Sequence, residues 1–179
     1  SILVAPSNNT FKSIDGILFN KTGTSLFKYP DGKAGSNYVV PSTVQTIEGE
    51  AFAYNQNLIN LTIGSNVRNV EGFAMYDMKL LETIHIPANV INIDSLGYFL
   101  YPVPKLTSIT VDSLNPNYSA VDGVLFNKSK SVLYRYPSSK AVTSYLIPST
   151  VTTINDSAFA NANLTSITIP GTVSTIKYY

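Results

Sequence analysis

Pro41-Ser-Thr-Val44-Gln-Thr-Ile47 returns as Gly64-Ser-Asn-Val67-Arg-Asn-Val70 and again as Pro87-Ala-Asn-Val90-Ile-Asn-Ile93. Val44, Val67 and Val90 are 23 residues apart, as are Ile47, Val70 and Ile93. Each copy continues through Ala51-Phe52, Ala74-Met75 or Gly97-Tyr98 and closes on Leu58-x-x-Leu61-x-Ile63, Leu81-x-x-Ile84-x-Ile86 or Leu106-x-x-Ile109-x-Val111. The third copy carries two extra residues at Tyr101-Pro-Val-Pro104. A fourth, one residue shorter, runs from Pro148 through Val151, Ile154 and Ala158-Phe159 to Leu164-x-x-Ile167-x-Ile169, and a fifth begins at Pro170. A fixed period of this length is the mark of a repeat architecture, in which one unit cannot bury its apolar face and stacked units share a core.

A longer period overlies the first. Residues 11–53 match residues 118–160 at an offset of 107, without a gap and with 21 identities in 43 positions. Asp15-Gly16-x-Leu18-Phe19-Asn20-Lys21 returns as Asp122-Gly123-x-Leu125-Phe126-Asn127-Lys128, and even Ser1-Ile2-x-Val4 falls on Ser108-Ile109-x-Val111. In these segments two short apolar runs flank Asp-Gly, a two-residue turn signal, and Leu26-Phe-Lys-Tyr29 supplies a third run. They read as three-stranded β-meanders interrupting the repeats. The expected organisation is a partial repeat (1–10), a meander (11–40), three repeats (41–63, 64–86, 87–111), a second meander (112–147), a repeat (148–169) and a truncated repeat (170–179). The chain opens and closes inside repeats, and a piece of a longer protein is the expectation.

In a strand successive side chains alternate, so Leu61 and Ile63 point inward while Asn60 and Thr62 point out. Pro or Gly follows in most copies and ends the ladder. The period lies within the range for leucine-rich repeats. The motif Ile-Pro-x-x-Val-x-x-Ile-x-x-x-Ala-Phe-x-x-x-x-x-Leu-x-x-Ile-x-Ile, over residues 38–111 and 145–176, resembles the BspA-type (treponemal-type) leucine-rich repeats of bacterial and trichomonad surface proteins. That family often has Cys three residues after the Phe, where Asn55 stands here. The resemblance implies a right-handed leucine-rich-repeat solenoid, strand-rich, with turns or short helices opposite the strand face. It also implies a non-enzymatic, extracellular or cell-surface protein-binding module. Such modules belong to bacterial adhesins attaching to host proteins or other cells. A glycan- or cell-wall-targeting domain of a larger secreted hydrolase is the alternative.

Composition narrows the chemistry. The 179 residues are 44% apolar and 13% charged, ample for a core and too apolar for a disordered chain. There is no Cys, which removes zinc fingers, iron–sulfur sites and thiol catalysis. The formal net charge of +1 gives no reason to expect nucleic acid. No apolar run is long enough to span a membrane. His85 is the only His and sits at an outward strand position; Glu82 is near, but no nucleophile or second His accompanies it, so it reads as a solvent-facing residue rather than a general base. No G-x-G-x-x-G phosphate loop occurs, and no cofactor is expected. Asp15 and Asp122 precede Gly in turns, where Asp serves the backbone, and no converging oxygen ligands suggest a metal.

Two binding surfaces stand out. Stacking the strands lines up Thr62, His85, Thr110 and Thr168 in one outward column and Asn60, Thr83, Ser108 and Ser166 in its neighbour. These hydroxyls and an amide could bind a host extracellular protein, a cell-surface ligand or a sugar, although Thr also favours strands for its shape. The second candidate is the meanders: residues 11–37 and 118–144 hold eight of the twelve Lys and Arg. There Phe27, Lys28, Tyr29, Lys128, Tyr134, Arg135 and Tyr136 interleave charge with rings, a mixture suited to anionic glycans or acidic proteins. Lys blunting exposed strand edges is the structural reading of the same residues. Seven Asn-x-Ser/Thr triplets, at Asn8, Asn20, Asn60, Asn117, Asn127, Asn155 and Asn163, recur largely with the repeat.

Overall fold

The computed structural model describes residues 1–93 and 98–177. The third copy's Gly97 and the last two residues of the truncated repeat lie outside the described residues. The chain coils through β1 (Phe11–Ile14), β2 (Ile17–Asn20), β3 (Ser25–Lys28), β4 (Asn37–Val39), β5 (Thr46–Ile47), β6 (Asn60–Thr62), β7 (Asn69–Val70), β8 (Thr83–Ile86) and β9 (Asn92–Ile93). A 3-10 turn at Tyr98–Leu100 follows. Then come β10 (Ser108–Val111), β11 (Tyr118–Val121), β12 (Val124–Asn127), β13 (Val132–Arg135), β14 (Ser144–Leu146), β15 (Thr153–Ile154), β16 (Ser166–Thr168) and β17 (Thr175–Ile176). Among the described residues no helix is long and apolar enough to cross a membrane.

The repeat builds a strand-rich solenoid with two parallel strand stacks. The Leu-x-Ile motif forms the ladder, a four-stranded sheet in the order β10-β8-β6-β4. Its register, Leu61 opposite Ile84 and Ile84 opposite Ile109, aligns every inward apolar residue. The Val-x-x-Ile motif forms two-residue strands of its own. They stack as β5, β7 and β9 with Ile47 opposite Val70 and Val70 opposite Ile93. We call this stack the wall. Between ladder and wall the Val, Leu and Ile columns of the motif are buried, including Val44, Val67, Val90, Leu58, Leu81 and Leu106, each fully inaccessible. Burying such a side chain contributes about 1.5–3 kcal/mol, and no single 23-residue turn could do it alone. Within these stacks the face away from the ladder is turns, with the single 3-10 turn as its helical element among the described residues.

Asp15-Gly16 and Asp122-Gly123 turn two antiparallel hairpins, β1–β2 and β11–β12, with positive φ at all four residues. The third strands, β3 and β13, pair antiparallel with β2 and β12 and then parallel with β5 and β15. The hairpins therefore extend the wall rather than leaving the solenoid: its orders are β1-β2-β3-β5-β7-β9 and β11-β12-β13-β15-β17. Residues 37–39 and 144–146, assigned to the meanders on sequence, are ladder strands, because Tyr38 and Tyr145 align with Leu61 and Ile167 of the next turn.

Candidate functional site

The ladder presents two outward columns, exposed except at the half-buried Ser108. One is Asn37, Asn60, Thr83 and Ser108, and the other Val39, Thr62, His85 and Thr110. Strand alternation puts them outside because Tyr38, Leu61, Ile84 and Ile109 of the same strands point into the core. Side chains are tied along the columns. Asn60 Nδ2 donates to Asn37 Oδ1 at 2.8 Å, and Thr83 Oγ1 donates to Asn60 Oδ1 at 3.1 Å. His85 Nδ1 shares a hydrogen bond with Thr110 Oγ1 at 3.0 Å. The face is thus a preordered row of amides and hydroxyls. A shallow groove of about 520 Å³ runs beside it, lined by Val39, Thr62, His85 and Asp112 among others.

Six of the eight ladder residues chosen from sequence share this sheet. Ser166 and Thr168 do not: β16 pairs only with β14, which places Ser166 beside Ser144 and Thr168 beside Leu146. The columns break after Ser108 and Thr110 because the second hairpin enters the ladder there, with the Ile109 amide donating to the Gly123 carbonyl at 3.0 Å. Asn37 and Val39 were missed, although Tyr38-Val-Val-Pro41 carries the alternation of Ile84-His-Ile-Pro87.

The basic, aromatic meanders are exposed only in part: Lys128 is exposed, Phe27, Lys28 and Tyr134 are half-buried, and the other three are interior. Tyr29, Tyr136 and Arg135 are buried at 1%, 0% and 2% exposure. Phe27 packs edge-on against Phe11 at 5.3 Å, and Tyr134 against Tyr118 at 5.9 Å. Lys28 Nζ donates to the Glu50 and Ala53 carbonyls, both at 3.2 Å, and pairs with Asp31 at 2.9 Å. Lys128 Nζ donates to the Asn115 carbonyl at 2.6 Å and the Ser113 carbonyl at 3.0 Å. The guanidinium of Arg135 donates to the Ser157 and Ala160 carbonyls at 2.6 and 3.2 Å and stands over the Tyr101 ring. Burial lowers its pKa to about 10. These cations bind turn carbonyls, at the surface for Lys28 and Lys128 and in the interior for Arg135, work that a one-dimensional charge count does not reveal.

Two features lay outside the sequence reading. Asn55 and Asn115 are buried and act as four-way ties: Nδ2 donates to two carbonyls of the preceding turn and Oδ1 accepts two amides of its own. On the turn face Tyr54, Phe73, Tyr76, Tyr98 and Tyr101 make a row of ring contacts, including Phe73 stacked on Tyr98 at 5.0 Å. Tyr54 and Phe73 leave 45% and 39% of their surface exposed. Among the described residues no group of three His, Asp or Glu could hold a metal.

A parallel strand ladder, a second stack of short strands and a shared apolar interior repeated every 23 residues define a leucine-rich-repeat solenoid. Six copies of the BspA-type leucine-rich repeat match over residues 20–139 and 130–179, and the chain belongs to that family. Among solved structures it is similar to a leucine-rich cell surface protein from Faecalibacterium prausnitzii, at 30% identity and TM-score 0.70 over 79% of this chain and 37% of that one. A leucine-rich repeat protein from Eubacterium ventriosum matches at 25% identity and TM-score 0.56, over 94% of this chain and 60% of that one. The pneumococcal vaccine antigen PcpA shares the fold at 24% identity and TM-score 0.69, over 77% of this chain and 40% of that one. The chain therefore spans less than two thirds of each of these structures. No curated protein matches the sequence.

Proposed function

We propose that the chain is a non-enzymatic protein-binding module of a bacterial cell-surface adhesin, attaching to host extracellular proteins or other cells through the outward face of the ladder. The observation that supports this most is the pair of exposed polar columns on one continuous sheet, prealigned by hydrogen bonds so that little side-chain entropy is lost on contact. Surface placement is supported by family membership and by the cell surface protein among the similar structures. The test is a binding screen against host matrix proteins with the wild type and a Thr62→Glu/His85→Glu/Thr110→Glu variant. Binding lost with Tm unchanged supports the ladder; binding equal in both variants rejects it.

A second reading is glycan targeting within a larger secreted hydrolase. The buried meander residues do not favour it, but the partly exposed aromatic row at Tyr54 and Phe73 does, since rings and phenols suit sugar faces. A glycan-array hit that Tyr54→Ala/Phe73→Ala removes, and the ladder variant does not, would select this reading.

A further inference from the structure

Wall and ladder do not advance in step. From β11 to β15 the wall passes through β12 and β13, three strand spacings or about 14 Å. Over the same rise the ladder side passes from β10 directly to β14, which belong to different sheets. Two strand positions are thereby opened on the ladder side. The hairpin tip occupies the one beside β10: Ile109 donates to the Gly123 carbonyl, and a Cβ on Gly123 (φ +80°) would lie 2.9 Å from Ser108 Oγ. The position beside β14 is left. The first compound unit repeats the arrangement. Ile2 donates to the Gly16 carbonyl at 2.9 Å, and between that hairpin tip and β4 lies a cleft of about 530 Å³ lined by Ile14, Asp15, Ile17, Lys33, Tyr38 and Val39 among others.

The walls of this cleft define its occupant. β4 and β14 are the terminal strands of their sheets. Toward β6, β4 uses the Ser36 carbonyl, which accepts from Asn60 at 3.0 Å, and the Val40 amide, which donates to Thr62. Alternation then turns the peptide groups of Asn37 and Val39 toward the cleft. In β14 the Thr143 carbonyl and the Ile147 amide face β16, so those of Ser144 and Leu146 turn outward. An edge of alternating donors and acceptors at strand spacing is complementary to another extended backbone. The floor is apolar, with Ile14 and Ile17 beside the Tyr29 and Tyr38 rings, 4.8 Å apart. One rim is fixed by Lys33 Nζ donating to the Asp15 carbonyl at 2.7 Å, matched by Lys140 and Asp122 at 2.6 Å. Asp15, Tyr29, Lys33 and Tyr38 recur unchanged as Asp122, Tyr136, Lys140 and Tyr145, so the second copy carries the same cleft residues.

We propose that each gap is a slot for an extended strand of a protein partner, apolar on alternate residues, that completes the ladder by pairing with the outer edge of β4 or β14. The slot lies at the open edge of the ladder and uses the backbone groups of Asn37 and Val39, whose side chains stand in the exposed columns, rather than Thr62, His85 and Thr110; it adds a second contact to the protein-binding reading.

The probe is a blocked synthetic peptide of residues 81–87, Leu-Glu-Thr-Ile-His-Ile-Pro, a strand that already pairs in parallel within this ladder. At about 1 mM peptide the amides of Asn37, Val39, Ser144 and Leu146 should exchange about tenfold more slowly with solvent. Val39→Pro/Leu146→Pro removes two outward donors at edge positions where proline is tolerated, and should abolish binding; Val39→Thr/Leu146→Thr should keep it. The Glu variant of the ladder face should bind the peptide as the wild type does, so the two proposals fail separately. Slow exchange of these amides in the free chain, no added protection at that concentration, or equal binding by the Pro variant would each overturn the slot.

Discussion

Lys28 and Arg135, 107 residues apart, hold the same two carbonyls of the following turn. Lys28 Nζ takes those of Glu50 and Ala53; the Arg135 guanidinium takes their counterparts, Ser157 and Ala160. The substitution between copies is not neutral in its surroundings. Lys28 keeps 29% of its side chain exposed and has Asp31 as partner, whereas Arg135 is buried with the Tyr101 ring 5.8 Å away. Removing a buried charge also strands its acceptors, so Arg135→Ala should cost about 3 kcal/mol. Lys28→Ala should cost about 1 kcal/mol or less, because water can replace it. Urea denaturation of the two variants measures the difference. Equal losses would show that the Arg135 cation is not what holds the turn.

This pair also marks how far the sequence could be read. The 23-residue spacing of Val44, Val67 and Val90 made the inward columns legible, since a buried position demands the same residue class in every turn. The offset of 107 likewise exposed the two Asp-Gly hairpins. What stayed hidden depends on counting strands on two sides of a coil at once. Alignment places Thr168 in register with Thr110, yet two added wall strands separate them, and nothing in a one-dimensional repeat records that rise. Charge misled for a related reason: Arg135 looks like a surface residue until the carbonyls around it are in place.

The asparagine ties make a second prediction. Asn55 stands where relatives often carry Cys, and here its amide makes four bonds that a thiol cannot all replace, with Pro30, Asp31, Asn57 and Leu58. Asn55→Ala leaves buried backbone groups without partners, and a loss of about 2–3 kcal/mol is expected. Asn55→Cys should recover only part of that. Chemical denaturation decides the matter, and a loss below about 1 kcal/mol for the Ala variant would mean water satisfies these groups equally well.

Lys130 gives a prediction of opposite sign. It adopts φ +59°, and its counterpart Gly23 adopts +83°. Left-handed backbone costs a residue with a Cβ about 1–2 kcal/mol, and glycine nothing. Lys130 is exposed, and its amide bond to the Asn127 carbonyl, 3.0 Å, is the bond Gly23 makes to Asn20. Lys130→Gly should therefore raise stability by about 0.5–1 kcal/mol, less than the full strain because glycine also gains freedom when unfolded. Thermal melting should show a small rise in Tm, while Lys130→Ala, which keeps the Cβ, should show none.

The tyrosines set the response to alkali. Burial raises the pKa of Tyr145, with Tyr136 and Asp122 adding to the effect, to about 12 against an ordinary value of 10.0. Tyr38 is shifted further in the same direction by burial, with Tyr29 and Asp15 adding to it, and burial also raises Tyr29, Tyr118, Tyr134 and Tyr136. Below pH 10 these phenols are neutral in both states and their contribution is intact. Between pH 10 and about 12 the unfolded chain ionises first and binds fewer protons, so stability falls as pH rises through that window. Arg135 acts the other way, since its folded pKa lies below its ordinary value and the unfolded chain keeps that proton longer. Six phenols oppose one guanidinium, and net destabilisation is expected above pH 10. Tyr38→Phe/Tyr145→Phe keeps the rings that pack 4.8 and 4.9 Å from Tyr29 and Tyr136 but removes two ionisations. Urea midpoints measured at neutral pH and across pH 10 to 12 should fall less steeply for this variant than for the wild type. Parallel pH profiles would show that these two hydroxyls are not what alkali attacks.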